Sequence, residues 1–101
     1  MRLKGKVSII TGGASGIGRA TALKFGQEGA IVAVCDLNQE SIDSTVDEVK
    51  AAGGEAVGYI VNVTNKAQIA DMVADLKTRF GRIDVVVNNA GIVQDAQLLK
   101  M

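Results

Sequence analysis

The chain has 101 residues, 11 basic against 11 acidic side chains, 48% hydrophobic residues, 12 Gly, one Cys, and neither His nor Pro. This length makes one domain at most, and surface scaling gives about 5,400 Å² folded against about 15,200 Å² unfolded, enough for a core. The formal net charge of +0 supplies no long-range field for a polyanion, so nucleic acid is excluded as a primary partner and any anion must be bound locally. No apolar run approaches the roughly 18 residues of a membrane span, and the start Met1-Arg2-Leu3-Lys4 lacks a small-residue cleavage pattern. A cytoplasmic protein without membrane partners is expected. Lacking imidazole, the chain has neither zinc sites nor Ser-His or Cys-His pairs to offer, and no metal is expected. Cys35, within the run Ile31-Val32-Ala33-Val34-Cys35, reads as a buried structural thiol in a reducing compartment.

In chain order, Val7-Ser8-Ile9-Ile10-Thr11 is short, β-branched and followed by glycines, which predicts a buried strand. A helix is expected over 17–28, stopped by Gly29, and then a second buried strand over 31–35. Ile42, Val46 and Val49, with Ala52 continuing the stripe, mark an amphipathic helix ended by Gly53-Gly54. A third strand over 56–61 follows, weakened by Gly58. Asn65 with Gln68 three residues on resembles a capping pair, and Ile69, Val73, Leu76 and Phe80 trace an apolar face up to Gly81. Ile83, Val85, Val86 and Val87 make a fourth strand that runs into Asn88-Asn89-Ala90-Gly91, while 92–101 carry no assignment. The order is βαβαβαβ. Strands joined by helices run parallel with right-handed crossovers, so the fold class is α/β, a Rossmann-type doubly wound parallel sheet with helices on both faces.

Thr11-Gly12-Gly13-Ala14-Ser15-Gly16-Ile17-Gly18 lies between the first strand and the first helix. Glycines there let the backbone turn at Gly12, let a pyrophosphate approach the main chain near Gly16, and let helix pack on strand at Gly18. The helix N-terminus adds unsatisfied N–H groups and partial positive charge. The competing reading is a turn needed only for tight packing. Asp36 lies 18 residues beyond Gly18, near the spacing at which an acid hydrogen-bonds an adenosine ribose; the competing reading is a solvated strand-end Asp. A carboxylate there accepts from both ribose hydroxyls and repels a 2′-phosphate. Neither Ser15 nor Leu37 brings positive charge, so NAD is the expected cofactor ahead of NADP. Arg19 in the first helical turn reads equally as a solvated surface residue or as a phosphate contact.

With Thr11-Gly12-x-x-x-Gly16-Ile17-Gly18, Asp36 and Asn88-Asn89-Ala90-Gly91 at strand ends, the sequence resembles the short-chain dehydrogenase/reductase family over its whole length. Leu3-x-Gly5-Lys6-Val7 and the segment from Phe80-Gly81-Arg82-Ile83-Asp84 to Ile92 look most like the 3-oxoacyl-[acyl-carrier-protein] reductases of that family. The resemblance implies strand order 3-2-1-4. It further implies that Gly12, Gly16, Ile17 and Gly18 cradle the cofactor phosphates, with Ser15 in the loop, and that Asp36, with Leu37 beside it, holds the adenosine ribose. Asn62-Val63 stands where the family carries an acid and an apolar residue against adenine; Asn62 keeps an acceptor and adds donors. Asn88, Ala90 and Gly91 would line the cofactor on its nicotinamide side, although Asn88 and Asn89 also read as side chains satisfying neighbouring backbone at a strand end.

Two departures from the family matter. Carrier-protein reductases commonly prefer NADP and carry basic residues where this chain has Ser15, Asp36 and Leu37. The family's chemistry uses a Ser and a Tyr-x-x-x-Lys, but the residue four beyond Tyr59 is Val63, and Tyr59 falls in a strand with its hydroxyl expected at the surface. No catalytic residue is assigned, because proton transfer to a carbonyl oxygen has no donor here. Residues 1–101 are therefore expected to be the N-terminal dinucleotide-binding part of a Rossmann domain, with the remainder absent and the chain inactive alone. An intact form would move hydride between a nicotinamide cofactor and a carbonyl or alcohol, such as a 3-oxoacyl thioester on acyl carrier protein. The alternatives are a non-catalytic dinucleotide-binding module, or a half-fold that self-associates through an exposed fourth-strand edge at Val85, Val86 and Val87.

Overall fold

A computed structural model describes residues 4–12, 16–62 and 64–88 of the chain. Seven elements alternate: β1 (Val7–Thr11), α1 (Gly16–Gln27), β2 (Ile31–Asp36), α2 (Gln39–Ala51), β3 (Glu55–Ile60), α3 (Lys66–Phe80) and β4 (Val85–Asn88). The four strands form one sheet in the order β3-β2-β1-β4. Every pairing is parallel, with Val7 opposite Ile31, Ser8 opposite Val85 and Asp36 opposite Ile60.

The unbroken apolar runs of β1 and β2 follow from cover on both faces. Successive side chains point to opposite sides, so Ile10, Val32 and Val34 pack with Ala22, Ile42 and Val49 under α1 and α2. Ile9, Ala33 and Cys35 point the other way, into Val61, Met72, Leu76 and Ile83 under α3. Two thin cores therefore share one sheet.

Most expected elements appear within a residue of their expected bounds, and the differences have local causes. Strand β2 runs on through Asp36, because its carbonyl accepts from Val61 N–H at 3.0 Å. Strand β4 starts at Val85, leaving Ile83 outside the strand but buried. Asp84 fastens that connection: its N–H donates to the Val7 carbonyl at 2.8 Å, and its carboxylate accepts from Val7 N–H at 2.9 Å. The Arg82 guanidinium, hydrogen-bonded to the same carboxylate, holds it below the usual carboxylate range. Ala52 does not continue the apolar stripe of α2; it is exposed beyond the helix end. Within the helix Thr45 is buried along with Ile42 and Val49, its hydroxyl donating to the Ser41 carbonyl at 2.9 Å.

Asn65 caps α3 as expected, its side chain accepting from Gln68 N–H at 3.1 Å. The reciprocal half of the pair is redirected, since Gln68 Oε1 accepts from Asn62 N–H at 2.7 Å rather than reaching back to Asn65. Losing the cap oxygen orphans a helix donor, so Asn65→Ala is expected to cost about 1 kcal/mol in urea unfolding. An unchanged midpoint would show that water replaces the cap at no cost.

Tyr59 also differs from expectation. Its hydroxyl donates to Asp75 on α3 instead of lying free at the surface. Burial, then the Asp75 hydrogen bond, push the phenol up to about 12, so it stays protonated at neutral pH. Tyr59 thus ties β3 to α3. No helix among the described residues is long and apolar enough to cross a membrane.

Candidate cofactor site

All four strands run in one direction, so their carboxyl ends share one edge of the sheet. Between β1 and β4 the strand order reverses direction, and an open α/β sheet leaves a crevice above such a point. Thr11 ends β1 there, with its hydroxyl toward the Val87 carbonyl at 3.4 Å. Gly12 then turns the chain at φ 64, and α1 opens at Gly16 with φ 53, both left-handed values that suit glycine. A Cβ built at Gly16 would meet nothing within 4 Å. The first turn of α1 contains no acidic residue, so no carboxylate competes for its N–H groups. Gly18 is buried and Ile17 is 78% exposed.

One strand over, Asp36 closes β2. Its Oδ1 accepts from Leu37 N–H at 2.8 Å, which fixes the plane of the carboxylate at the rim of the edge. Leu37 is 64% exposed and brings no charge. Arg19 resolves between its two readings in favour of a third role. Its guanidinium bonds Glu48 through both Nε and Nη2 and reaches Ser44 at 3.0 Å, clamping α1 to α2.

Beyond β3, Asn62 is exposed. Its Oδ1 accepts from Thr64 N–H at 2.9 Å and from the Thr64 hydroxyl at 2.7 Å. Asn88 pairs with Thr11 in the β1–β4 ladder. Ser15, Val63, Asn89, Ala90 and Gly91 lie outside the described residues. The structure therefore brings Gly12, Gly16, Ile17, Gly18, Asp36, Leu37, Asn62 and the backbone of Asn88 to one edge. Sequence reasoning missed Ile60, which pairs with Asp36 and is 53% exposed beside it. An apolar last residue of a strand carries no signal of its own; only the register reveals its neighbour.

Cys35 stands one residue from this edge but belongs to the core. It is buried, with Sγ 3.0 Å from Met72 Sδ. Desolvation, with a smaller contribution from Asp36, pushes its thiol up to about 12. A disulfide-exchange reagent at pH 8 is therefore expected to label Cys35 only after denaturant is added. Labelling of the folded chain at the rate of free cysteine would contradict the burial. No group of His, Cys, Asp or Glu that could hold a metal occurs among the described residues.

A parallel sheet in this order, with a glycine turn at its switch point and an acid closing the next strand, defines a nucleotide-binding α/β protein of the Rossmann type. The short chain dehydrogenase family model matches residues 6–101, and the chain belongs to that family. It is 52% identical over 101 residues to a 3-oxoacyl-[acyl-carrier-protein] reductase of Thermotoga maritima, an alignment covering 100% of this chain and 41% of that protein. It is 43% identical to sorbitol dehydrogenase of Cereibacter sphaeroides, over 100% of this chain and 38% of that one. Among solved structures, NAD⁺-bound xylitol dehydrogenase superposes with a TM-score of 0.86 at 36% identity, over 91% of this chain and 35% of that one. The chain thus spans less than half the length of each of these relatives. Proteins of this family bind a nicotinamide dinucleotide.

Proposed function

We propose that residues 1–101 are the N-terminal, dinucleotide-binding part of a hydride-transferring oxidoreductase, and that they bind NAD in preference to NADP. The observation that carries this is the placement of Asp36. It closes the strand next to the glycine turn, at the same edge of the sheet, and its neighbour Leu37 brings no charge. In this reading Gly12, Gly16, Ile17 and Gly18 present main-chain N–H groups to the pyrophosphate, with Ser15 in the same turn. Asp36 accepts from the adenosine ribose hydroxyls, with Leu37 packed beside it. Asn62 and Val63 meet the base, and Asn88, Ala90 and Gly91 line the nicotinamide side.

Bound nicotinamide supplies the hydride; the residues here bind and orient it. The partner of the reaction is a carbonyl or alcohol. The name of the Thermotoga relative favours a 3-oxoacyl thioester on acyl carrier protein. Residues 1–101 contain no Tyr-x-x-x-Lys, so pure chain is expected to leave NADH unoxidised in the presence of an acetoacetyl thioester. Clear turnover would overturn that part. The lone buried thiol supports a reducing, cytoplasmic setting. The central test is calorimetric titration with both dinucleotides. Binding of NAD at least about tenfold tighter than NADP is expected from the charge of one carboxylate; no heat with either at millimolar concentration would overturn the reading.

A second reading has one observation behind it. Among the described residues β4 pairs with β1 alone, at the end of the sheet. Self-association of the chain through that edge predicts a dimer in light scattering, and a dispersed monomer at high concentration would remove it.

A further inference from the structure

Helix α1 carries two cations, Arg19 in its first turn and Lys24 in its last. Lys24 pairs with Glu28, at the end away from the crevice. Arg19 stands three residues past Gly16, about 5 Å along the axis from the start of the helix. A helical side chain leans toward the N-terminus of its own helix, so the unrestrained direction of Arg19 is toward the carboxyl edge of the sheet, where β2 ends at Asp36.

The side chain is turned elsewhere. Its Nε donates to Glu48 Oε1 at 3.0 Å, and its Nη2 donates to Glu48 Oε2 and, at 3.0 Å, to Ser44 Oγ. Ser44 and Glu48 stand five and nine residues into α2, about 8 Å and about 14 Å along that axis from the end that follows Asp36. The anchoring groups therefore lie below the edge. The hydrogen bond from Arg19 holds the Glu48 carboxyl below its usual range, so the anchor is charged at neutral pH. Helix placement has a separate cause: farther along, α1 and α2 meet at Gly26, where a Cβ would lie 2.6 Å from Val49 Cγ1. That packing holds the helices together without the ion pair, which is exposed and contributes little to stability. Its main consequence is where it leaves the cation.

We propose that Glu48 is a positioning residue for cofactor choice: it draws Arg19 down against α2 and so withholds a cation from a 2′-phosphate on the ribose at the edge of the site. The inference rests on the dinucleotide-binding reading above. A phosphate beside the ribose adds negative charge, and a guanidinium within reach would bind it through paired hydrogen bonds. Asp36 disfavours that phosphate by repulsion. Glu48 acts on the same choice by removing an attraction, without touching the cofactor.

The test titrates the full chain with NAD and with NADP at low ionic strength, for the wild type, Glu48→Gln, Arg19→Met and the double variant. In Glu48→Gln the guanidinium loses its charged anchor, and NADP is expected to bind about three- to fivefold tighter, the scale of one exposed ion pair released, while NAD is unchanged. The gain should be absent from the double variant, and Arg19→Met alone should bind both dinucleotides as the wild type does. NADP binding by Glu48→Gln no tighter than the wild type, undetectable binding included, would overturn the proposal while NAD binding stands. A gain that survives in the double variant would also overturn it, because the charge of Glu48 would then act without Arg19. Equal tightening of NAD and NADP would do the same, since it would mean that the helices had moved. Failure of the wild type and every variant to bind either dinucleotide would instead remove the reading on which it rests.

Discussion

Replacing Asp36 by Ala is expected to weaken NAD binding by about ten- to a hundredfold, the range of hydrogen bonds to a charged group, while NADP binding is unchanged or improved. The two dinucleotides should respond differently because the carboxylate accepts from free ribose hydroxyls but repels a 2′-phosphate. The chain has no net charge, and Arg19 is engaged with Glu48 and Ser44 on α2. The carboxylate plane is fixed by Leu37 N–H, so a ribose would meet a group already oriented, with little ordering cost on binding. Asp36→Asn separates the two contributions. It keeps an oxygen acceptor and removes the charge, so NAD should weaken less than in Asp36→Ala, while the repulsion of a 2′-phosphate should be relieved in both. Equal losses for NAD and NADP would mean that Asp36 supports the strand end and does not read the ribose. Calorimetry with the two dinucleotides checks all of these outcomes.

Gly58→Ala is expected to destabilise the chain by about 1–3 kcal/mol, the usual cost of overpacking, and to lower the melting temperature by about 10 °C in a domain of this size. The cause is contact rather than backbone freedom. A Cβ at position 58 would lie 2.3 Å from Cγ2 of Ile42 and 3.5 Å from Cγ2 of Val46. Ile42 is fully buried in α2, and a β-branched side chain in a helix has one strongly preferred rotamer. It cannot swing aside, so α2 must lift from β3. Ile42→Ala removes that methyl group. The double variant should therefore lose at least about 1 kcal/mol less than the sum of the single ones, as neighbours in contact do. Additive losses in thermal or urea unfolding would contradict the contact. In sequence, Gly58 reads as a weakness of the third strand. In the folded chain it is what allows α2 to sit against that strand.

Features that repeat along the chain, or occupy a fixed place relative to one element, were legible before any coordinates. Hydrophobic period separated strands from helices, glycines marked where helices stop, and the glycine turn with Asp36 followed from their positions at strand ends. These are local properties, and a residue carries them whatever lies opposite. The order β3-β2-β1-β4 came from resemblance rather than periodicity, since no pattern within one strand states its neighbours.

What tertiary structure alone decided concerns pairs of groups far apart in sequence. Arg19 finds Glu48, Tyr59 finds Asp75, Asp84 finds Val7, and Ile60 comes to lie beside Asp36. Gln68 looked like a partner for Asn65 and turned to Asn62 instead. Thr45 is buried together with Ile42 and Val49, and Ala52 is exposed because helix α2 ends before the stripe does. The sequence by itself determined the alternation of elements and the presence of a phosphate turn with an acid one strand away, because periodicity and turn chemistry act over a few residues. Which side chains remain available at that edge was decided only when the strands packed in their order, because hydrogen-bond partners and close contacts are fixed by the distances between elements.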